Sequence, residues 1–470
     1  MERLHDLVAT ELDRARHRTT VLTEAVGDDD LIRQHSPLMS PLVWDLAHVG
    51  NQEELWLVRD VGGREPVRRD IDELYDAFKH PRGDRPALPL LGPAEARRYV
   101  HEVRDKVLDV LDRTRFDRTA EGSGDENGNR TGGGTADRRS DRAGDWRSDG
   151  AGGRAALVAD GFAFGMIVQH EQQHDETMLA THQLRAGAPV LTAPEPPPAR
   201  SPVTGEVLVP GGPFTMGTDT EAWALDNERP AHVVDVPPFF IDRAPVTNGA
   251  YAAFIADGGY DEPRWWSPAG WEHRVTAGLS APMHWRRDGD GWVSTRFGRT
   301  AAVAGDEPVV HVCFFEAQAY AAWAGRRLPT EAEWEKAARH DPATGRSRRF
   351  PWGDETPGEQ HANLGQRHLH PAPAGAYPAG ASPLGVHQLI GDVWEWTSSD
   401  FHGYPGFRAF PYAEYSKVFF GPGYKVLRGG SFGTDRSACR GTFRNWDYPI
   451  RRQIFSGFRC ARDAGPQEAA

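Results

Sequence analysis

A proline-rich stretch, RAGAPVLTAPEPPPARSPVTGE at residues 185–206, divides the chain into two regions of different texture. Such a sequence reads as a semi-rigid linker with no core of its own. Before it, apolar residues recur with helical spacing. After it Gly, Pro and Trp become frequent, strands look short, and only brief helices such as PTEAEWEKAAR (329–339) are suggested. The 470 residues suffice for two or three domains with substantial cores. The expectation is a two-domain α+β protein: a helical domain over 1–190, a linker at 191–204, and a mixed domain over 205–466.

The helical half reads as a four-helix bundle. LVATELDRARHRTTVL carries Leu7, Val8, Leu12 and Ala15 on one face, and YVHEVRDKVLDVL carries Val100, Val103, Val107 and Leu111. Ser40 followed by Pro41 is a helix-start signal for LVWDLAHVGNQEELWLVRD, with Ser40 as cap and Pro41 in the first turn. The stretch GMIVQHEQQHDETMLATHQL (165–184) supplies the fourth helix, all joined antiparallel. Residues 117–154 are nearly free of large apolar side chains and cannot offset the entropy of ordering, so they predict a disordered insert within this domain.

Charge and composition exclude several classes of function. A net charge of −13 with no basic tract argues against a nucleic-acid or anionic-membrane partner. MERLHDLVATELDR is no export leader and no apolar run approaches 18 residues, so a soluble cytoplasmic protein is expected. Cys313, Cys439 and Cys460 are too few for a disulfide framework; Cys439 and Cys460 read as small buried hydrophobes.

The chemistry begins at His170 and His174, one helical turn apart. Side chains four apart share a helix face at roughly 6 Å, close enough to hold one ion. They continue the face of Ala163, Ile167, Thr177, Met178 and Thr181, which points into the bundle. Glu176 lies about 200° round the helix from His174, so it should point off the metal face and serve a structural role. A third ligand should come from a facing helix, and His48, in line with Trp44 and Leu55, is the candidate. Hydrogen-bonded core histidines are the other reading of all three. Three neutral imidazoles suit Zn, Fe, Cu or Ni, so spacing alone leaves the metal open.

Several phrases narrow the choice by resemblance. VPGGPFTMGT (209–218), RRLPTEAEWEKAAR (326–339), FPWGDE (350–355), GDVWEWTSS (391–399), LRGGSF (427–432) and GFRCARD (457–463) resemble the formylglycine-generating (sulfatase-modifying factor) enzymes, a C-type-lectin-like fold. PLVWDLAHVGNQEELW with the His-x3-His-x-Glu pattern resembles the DinB-like metal-binding bundle. The fusion of the two is similar to the sulfoxide synthases of ergothioneine biosynthesis. That resemblance implies non-heme Fe(II), with O2 joining the thiol of γ-glutamylcysteine to the imidazole C2 of hercynine. It makes His48, His170 and His174 the iron ligands.

The same resemblance assigns further roles. Tyr412 corresponds to the family's active-site tyrosine, a proton or hydrogen donor, and Tyr415 to a neighbour in its network. Asn445, Trp446 and Asp447, read as a turn before Pro449, and Gln173 would contact substrate; Trp446 could offer its ring face to a trimethylammonium. Arg82 and Arg85, in a loop read as irregular, would grip the thiol substrate's carboxylates, and HPRGDRP and RNWDYPIRRQ look like the γ-glutamylcysteine branch rather than the cysteine branch. The formylglycine-generating oxidases themselves carry a cysteine pair after RGGS; Cys439 is present here, but Thr434 stands at the earlier position. A zinc-dependent hydrolase or transferase of the DinB-like class and a non-catalytic ligand-binding module are the alternatives.

Overall fold

The computed structural model describes residues 2–116, 151–465 and 467–468. In the first domain α1 (Glu2–Glu24), α2 (Asp28–Ile32), α3 (Leu42–Glu53), α4 (Pro93–Leu111), α5 (Ala151–Val158) and α6 (Phe162–Leu184) follow one another, and α1, α3, α4 and α6 form the bundle. Most of the insert expected to be disordered, residues 117–150, lies outside the described residues. Its last four residues, 151–154, open α5, which is anchored by the fully buried Leu157.

The helical stripes match the spacing with one correction. Val8, Leu12 and Ala15 are fully buried, but Leu7 is 47% exposed. One residue is 100° of helix, so Leu7 cannot share the stripe centred on Val8 and Leu12. The start of α3 also differs: the helix begins at Leu42, and the Ser40 hydroxyl accepts from Arg85 Nη1 at 2.6 Å instead of capping. α3 is buried on nearly every side, and a Cβ on Gly50 would come within 2.7 Å of Val100 on α4. Beyond Glu53 the helix continues as a π-helical turn, Glu54–Val61, a widening often found at functional sites.

One charged ring ties all four bundle helices. Arg16 of α1 donates to Glu171 of α6 at 2.7 Å and to Glu53 of α3 at 2.6 Å; Arg104 of α4 donates to the same two carboxylates at 3.0 and 2.5 Å. Removing one member would leave one buried charge uncompensated within the ring, which is costly, so the ring helps fix the mutual register of the helices. One member, Glu171, follows His170 directly in the chain.

The second domain runs through β1 (Glu206–Val209), β2 (Gly212–Met216), β3 (His232–Val236), β4 (Phe239–Asp242), α7 (Asn248–Ala256) and α8 (Pro268–Thr276). The meander β5 (Trp285–Asp288), β6 (Gly291–Arg296) and β7 (Arg299–Ala302) leads to α9 (Phe314–Trp323), α10 (Glu331–Arg339) and the short pair β8 (His340–Asp341) and β9 (Arg346–Ser347). The domain closes with β10 (Trp394–Phe401), β11 (Gly421–Arg428), β12 (Arg444–Asp447), β13 (Ser456–Gly457) and β14 (Ala461–Asp463). The two principal sheets are β1-β4-β14 and β12-β11-β10-β13.

Short strands leave much irregular backbone, and buried ion pairs brace it. Arg428 reaches Glu331 and Glu335 at 2.8 Å each, and Arg459 reaches Glu395 at 2.6 Å. The domains pack closely along α6: Trp223 lies against Gly165, where a Cβ would come within 2.2 Å of its ring. All three cysteines are free and buried. Among the described residues no helix is long and apolar enough to cross a membrane.

Candidate metal centre and its cavity

His48 comes from α3, and His170 and His174 come from α6. One potential ligand atom from each lies within 4.8 Å of the others. Their outer nitrogens are held. His48 Nδ1 bonds the Tyr75 carbonyl at 2.8 Å, and His174 Nδ1 bonds the buried Asp45 carboxylate at 3.0 Å. A carbonyl oxygen only accepts, so His48 Nδ1 carries the proton and Nε2 keeps a lone pair; the Asp45 contact favours the same arrangement in His174. His170 Nδ1 is buried without a hydrogen-bond partner among the described residues.

Electrostatics favours the ligating form. Burial holds the His48 and His170 imidazoles well below the usual histidine range, and the neighbouring histidines push in the same direction. Three imidazoles, two of them oriented from behind, form a donor set that fits a divalent transition metal. Trp44 stacks on His48 at 4.6 Å between ring centroids, and Arg85 covers Trp44 at 3.5 Å.

The three histidines open onto a cavity of about 680 Å³ whose walls come from both domains. Tyr412, Tyr415, Asn445 and Trp446 line it together with Gln173 and Trp56. Tyr412 stacks on Trp56 with centroids 5.1 Å apart, and the Tyr415 hydroxyl donates to Gln173 Oε1 at 3.4 Å. Desolvation, and then nearby negative groups, push the Tyr412 phenol above its ordinary range, so it stays protonated at neutral pH. Asn445, Trp446 and Asp447 lie on strand β12, not on the expected turn; the backbone pairs with β11, Trp446 opposite Val426. Trp446 has one ring face on Phe401, at 4.1 Å.

An adjoining cavity of about 320 Å³ shares Gln173, Phe419, Asn445 and Trp446 and carries the charged groups Arg82, Glu176, Asp447 and Arg451. Arg451 Nε stands 3.6 Å from Asp447 Oδ1. Arg85 lines neither cavity. The segment expected to be irregular is a 3-10 turn, Arg82–Ala87, that turns Arg85 inward to Ser40 and to the His80 carbonyl at 3.0 Å. It braces the face of Trp44, and through it His48, rather than facing a ligand.

Glu176 points off the metal face, toward the second domain. Its carboxylate accepts from Trp394 Nε1 at 2.8 Å, Ser431 Oγ at 2.5 Å and Thr434 Oγ1 at 2.7 Å. Thr434 is therefore spent on docking the metal helix, and burial pushes the Cys439 thiol up, away from thiolate chemistry. Sequence reasoning missed Asp45, Tyr75, Trp56 and Arg451. Asp45 left a usable signal, a carboxylate three residues before His48 in an apolar run; the Tyr75 carbonyl left none.

Comparison with known proteins covers nearly the full chain. Residues 192–464 match the sulfatase-modifying factor enzyme 1-like domain, and residues 11–178 match the DinB superfamily. The hercynine oxygenase of Mycolicibacterium thermoresistibile is 52% identical over 472 residues, covering 98% of this chain and 96% of that protein. The hercynine oxygenase of Mycolicibacterium smegmatis is 51% identical, covering 97% and 99%. The formylglycine-generating enzyme of Streptomyces coelicolor is 39% identical over 313 residues, 58% of this chain and 94% of that one.

Proposed function

The chain belongs to the hercynine oxygenases, and within that family of oxygenases we propose that it uses Fe(II) and O2 to couple γ-glutamylcysteine to hercynine, a step of ergothioneine synthesis. The sulfur–hydrogen bond of the thiol and the C2–hydrogen bond of the imidazole break, and a carbon–sulfur bond forms. One oxygen atom ends on sulfur as the sulfoxide, and the other leaves with the two hydrogens as water.

The observation that carries the reading is the convergence of three imidazoles, a protonated phenol and a set of opposite charges in two adjoining cavities. His48, His170 and His174 would hold the iron on one face. When bound, Fe(II) would activate O2, while the four electrons that reduce it come from the thiol and the imidazole. Tyr412, on the wall of the same cavity as the three histidines, holds a proton or hydrogen for delivery. Trp446 and Gln173 orient hercynine, with the indole facing its trimethylammonium. Asn445 and Tyr415 complete the polar wall.

The thiol substrate is read from charge. Relative to cysteine, γ-glutamylcysteine adds a second amino-acid head with its own carboxylate and ammonium. Arg82 and Asp447, on the wall of the smaller cavity, supply one charge of each sign, which supports the larger substrate. The test is anaerobic reconstitution with Fe(II), addition of O2 with each thiol in turn, and mass analysis of the products. A protein that holds zinc tightly and never couples the substrates with Fe(II) would sink this reading.

A further inference from the structure

Among the described residues the Tyr412 hydroxyl has no hydrogen-bond partner; the ring is held by stacking on Trp56 at 5.1 Å. Where that hydroxyl lies is therefore set by the backbone beneath it. This backbone belongs to the connection between β10 and β11, which contains only two short 3-10 turns, Ala413–Tyr415 and Lys417–Phe419. Such a segment needs an anchor from outside itself if its side chains are to stay in register with a metal site.

One buried carboxylate supplies it. Asp226 Oδ1 accepts from Ser416 Oγ at 2.5 Å, and Asp226 Oδ2 accepts from the Phe410 backbone N–H at 3.3 Å. The two oxygens thus grip the chain on both sides of Tyr412. Asn227 Nδ2 donates to the same Ser416 oxygen at 3.0 Å, and Asp226, Asn227 and Ser416 are all buried. The same 3-10 turn, Asp226–Glu228, reaches the other walls of the cavity. Glu228 accepts from Arg440 Nε at 2.7 Å, and Arg440 Nη2 donates to Gln169 Oε1, the residue before His170, at 2.9 Å. Arg444, which opens the strand carrying Asn445 and Trp446, donates to the Asn227 carbonyl at 2.8 Å. A single turn ties the tyrosine segment, the metal helix and the indole strand together.

We propose that Asp226 is a positioning residue for Tyr412: its carboxylate clamps Phe410 and Ser416 so that the phenol stands over the three-histidine face. The inference rests on the functional reading above, in which Tyr412 delivers the proton or hydrogen that commits the substrates to coupling. Asp226 itself touches neither substrate nor metal.

The test uses the full chain loaded with Fe(II), with Asp226→Ala and Ser416→Ala made alone and in a Tyr412→Phe background. The clamp predicts that Asp226→Ala lowers kcat for coupling about tenfold or more, because small misplacements of a reacting group are expensive, while both KM values and Fe(II) affinity change by less than about threefold. The product ratio should move from sulfoxide toward oxidised thiol, as with Tyr412→Phe, and neither substitution should add a loss once Tyr412 is Phe. Amide exchange should quicken over 402–420 and not across the bundle. Ser416→Ala removes one hydroxyl from the same clamp and is read in the same way should Asp226→Ala not fold. Unchanged kcat and product ratio, or an equal loss in both tyrosine backgrounds, overturns the proposal. A wild-type chain that never couples the substrates overturns the functional reading instead, and the exchange measurement then judges the clamp by itself.

Discussion

Glu176 of the metal helix and Trp394 of β10 meet at 2.8 Å across the domain boundary, with Ser431 and Thr434 completing a three-donor socket around the carboxylate. The contact ties the helix that carries His170 and His174 to the second domain. Among the described residues no cation pairs with Glu176 in this socket; its three hydrogen-bond donors are neutral groups. Glu176→Ala leaves all three without their acceptor and should destabilise the fold by about 1–3 kcal/mol. Fe(II) affinity should change far less than with any histidine variant. Denaturant midpoints beside metal titrations check both statements, and a loss confined to metal binding would contradict the docking role.

The metal centre gives a graded prediction. Replacing His48, His170 or His174 by Ala should abolish coupling. Asp45→Asn keeps the shape but weakens the partner that orients His174, and should lower Fe(II) affinity by roughly 10–100-fold. Metal content after dialysis and single-turnover product yield measure the two effects. Asp45→Asn with wild-type affinity would mean that His174 needs no support from behind.

How much of this was legible is best seen at particular residues. The histidine pair was legible because four-residue spacing on a helix fixes a shared face, and His48 because an imidazole in an apolar run needs a partner. Arg85 was not. Its fate depends on the face of Trp44 and on Ser40, 45 residues away, and a loop arginine carries no local mark of being turned inward. Asn445 to Asp447 read as a turn because Asn, Asp and Pro are turn formers, and pairing with β11 overrode that preference. The π-turn after Glu53 shifts hydrogen bonds without altering which residues are apolar. Asp226 and Ser416 are 190 residues apart, so no window of sequence could join them.

Tyr412→Phe removes one hydroxyl and little volume, so fold, metal binding and the stack on Trp56 should survive. If the phenol governs the outcome of the oxidation, sulfoxide coupling should fall and O2 consumption divert to simple thiol oxidation toward sulfinate. Product analysis against O2 uptake reads this directly. Unchanged product and rate would make Tyr412 a packing residue.

Asp226 also predicts a pH signature of stability. Burial pushes its carboxyl up to about 6 in the folded chain, against a usual value near 3.8. A raised acid takes up a proton on folding, so its contribution to stability is fully present below about pH 4 and is lost as pH rises through about 6. Asp226→Asn should remove that slope. The Tm difference between variant and wild type should therefore move in the variant's favour between about pH 4 and 7. A difference independent of pH would show that Asp226 folds already ionised.

In the proposed function the choice of thiol substrate rests on Arg82 and Asp447, which line the smaller cavity away from the three histidines. Charge-assisted contacts of this kind contribute roughly 1.5–3 kcal/mol each, a factor of about ten or more in affinity. Arg82→Ala or Asp447→Ala should therefore weaken use of γ-glutamylcysteine about tenfold or more while hardly changing hercynine binding. Arg85→Ala should behave differently. It uncovers the face of Trp44, which stacks on His48, and frees the Ser40 hydroxyl, so it should lower stability and Fe(II) affinity and leave the preference between thiols intact. Steady-state constants for γ-glutamylcysteine, cysteine and hercynine on the three variants separate these outcomes. A wild-type preference for cysteine, or a loss of hercynine affinity alone in the Arg82 and Asp447 variants, would move the thiol site elsewhere.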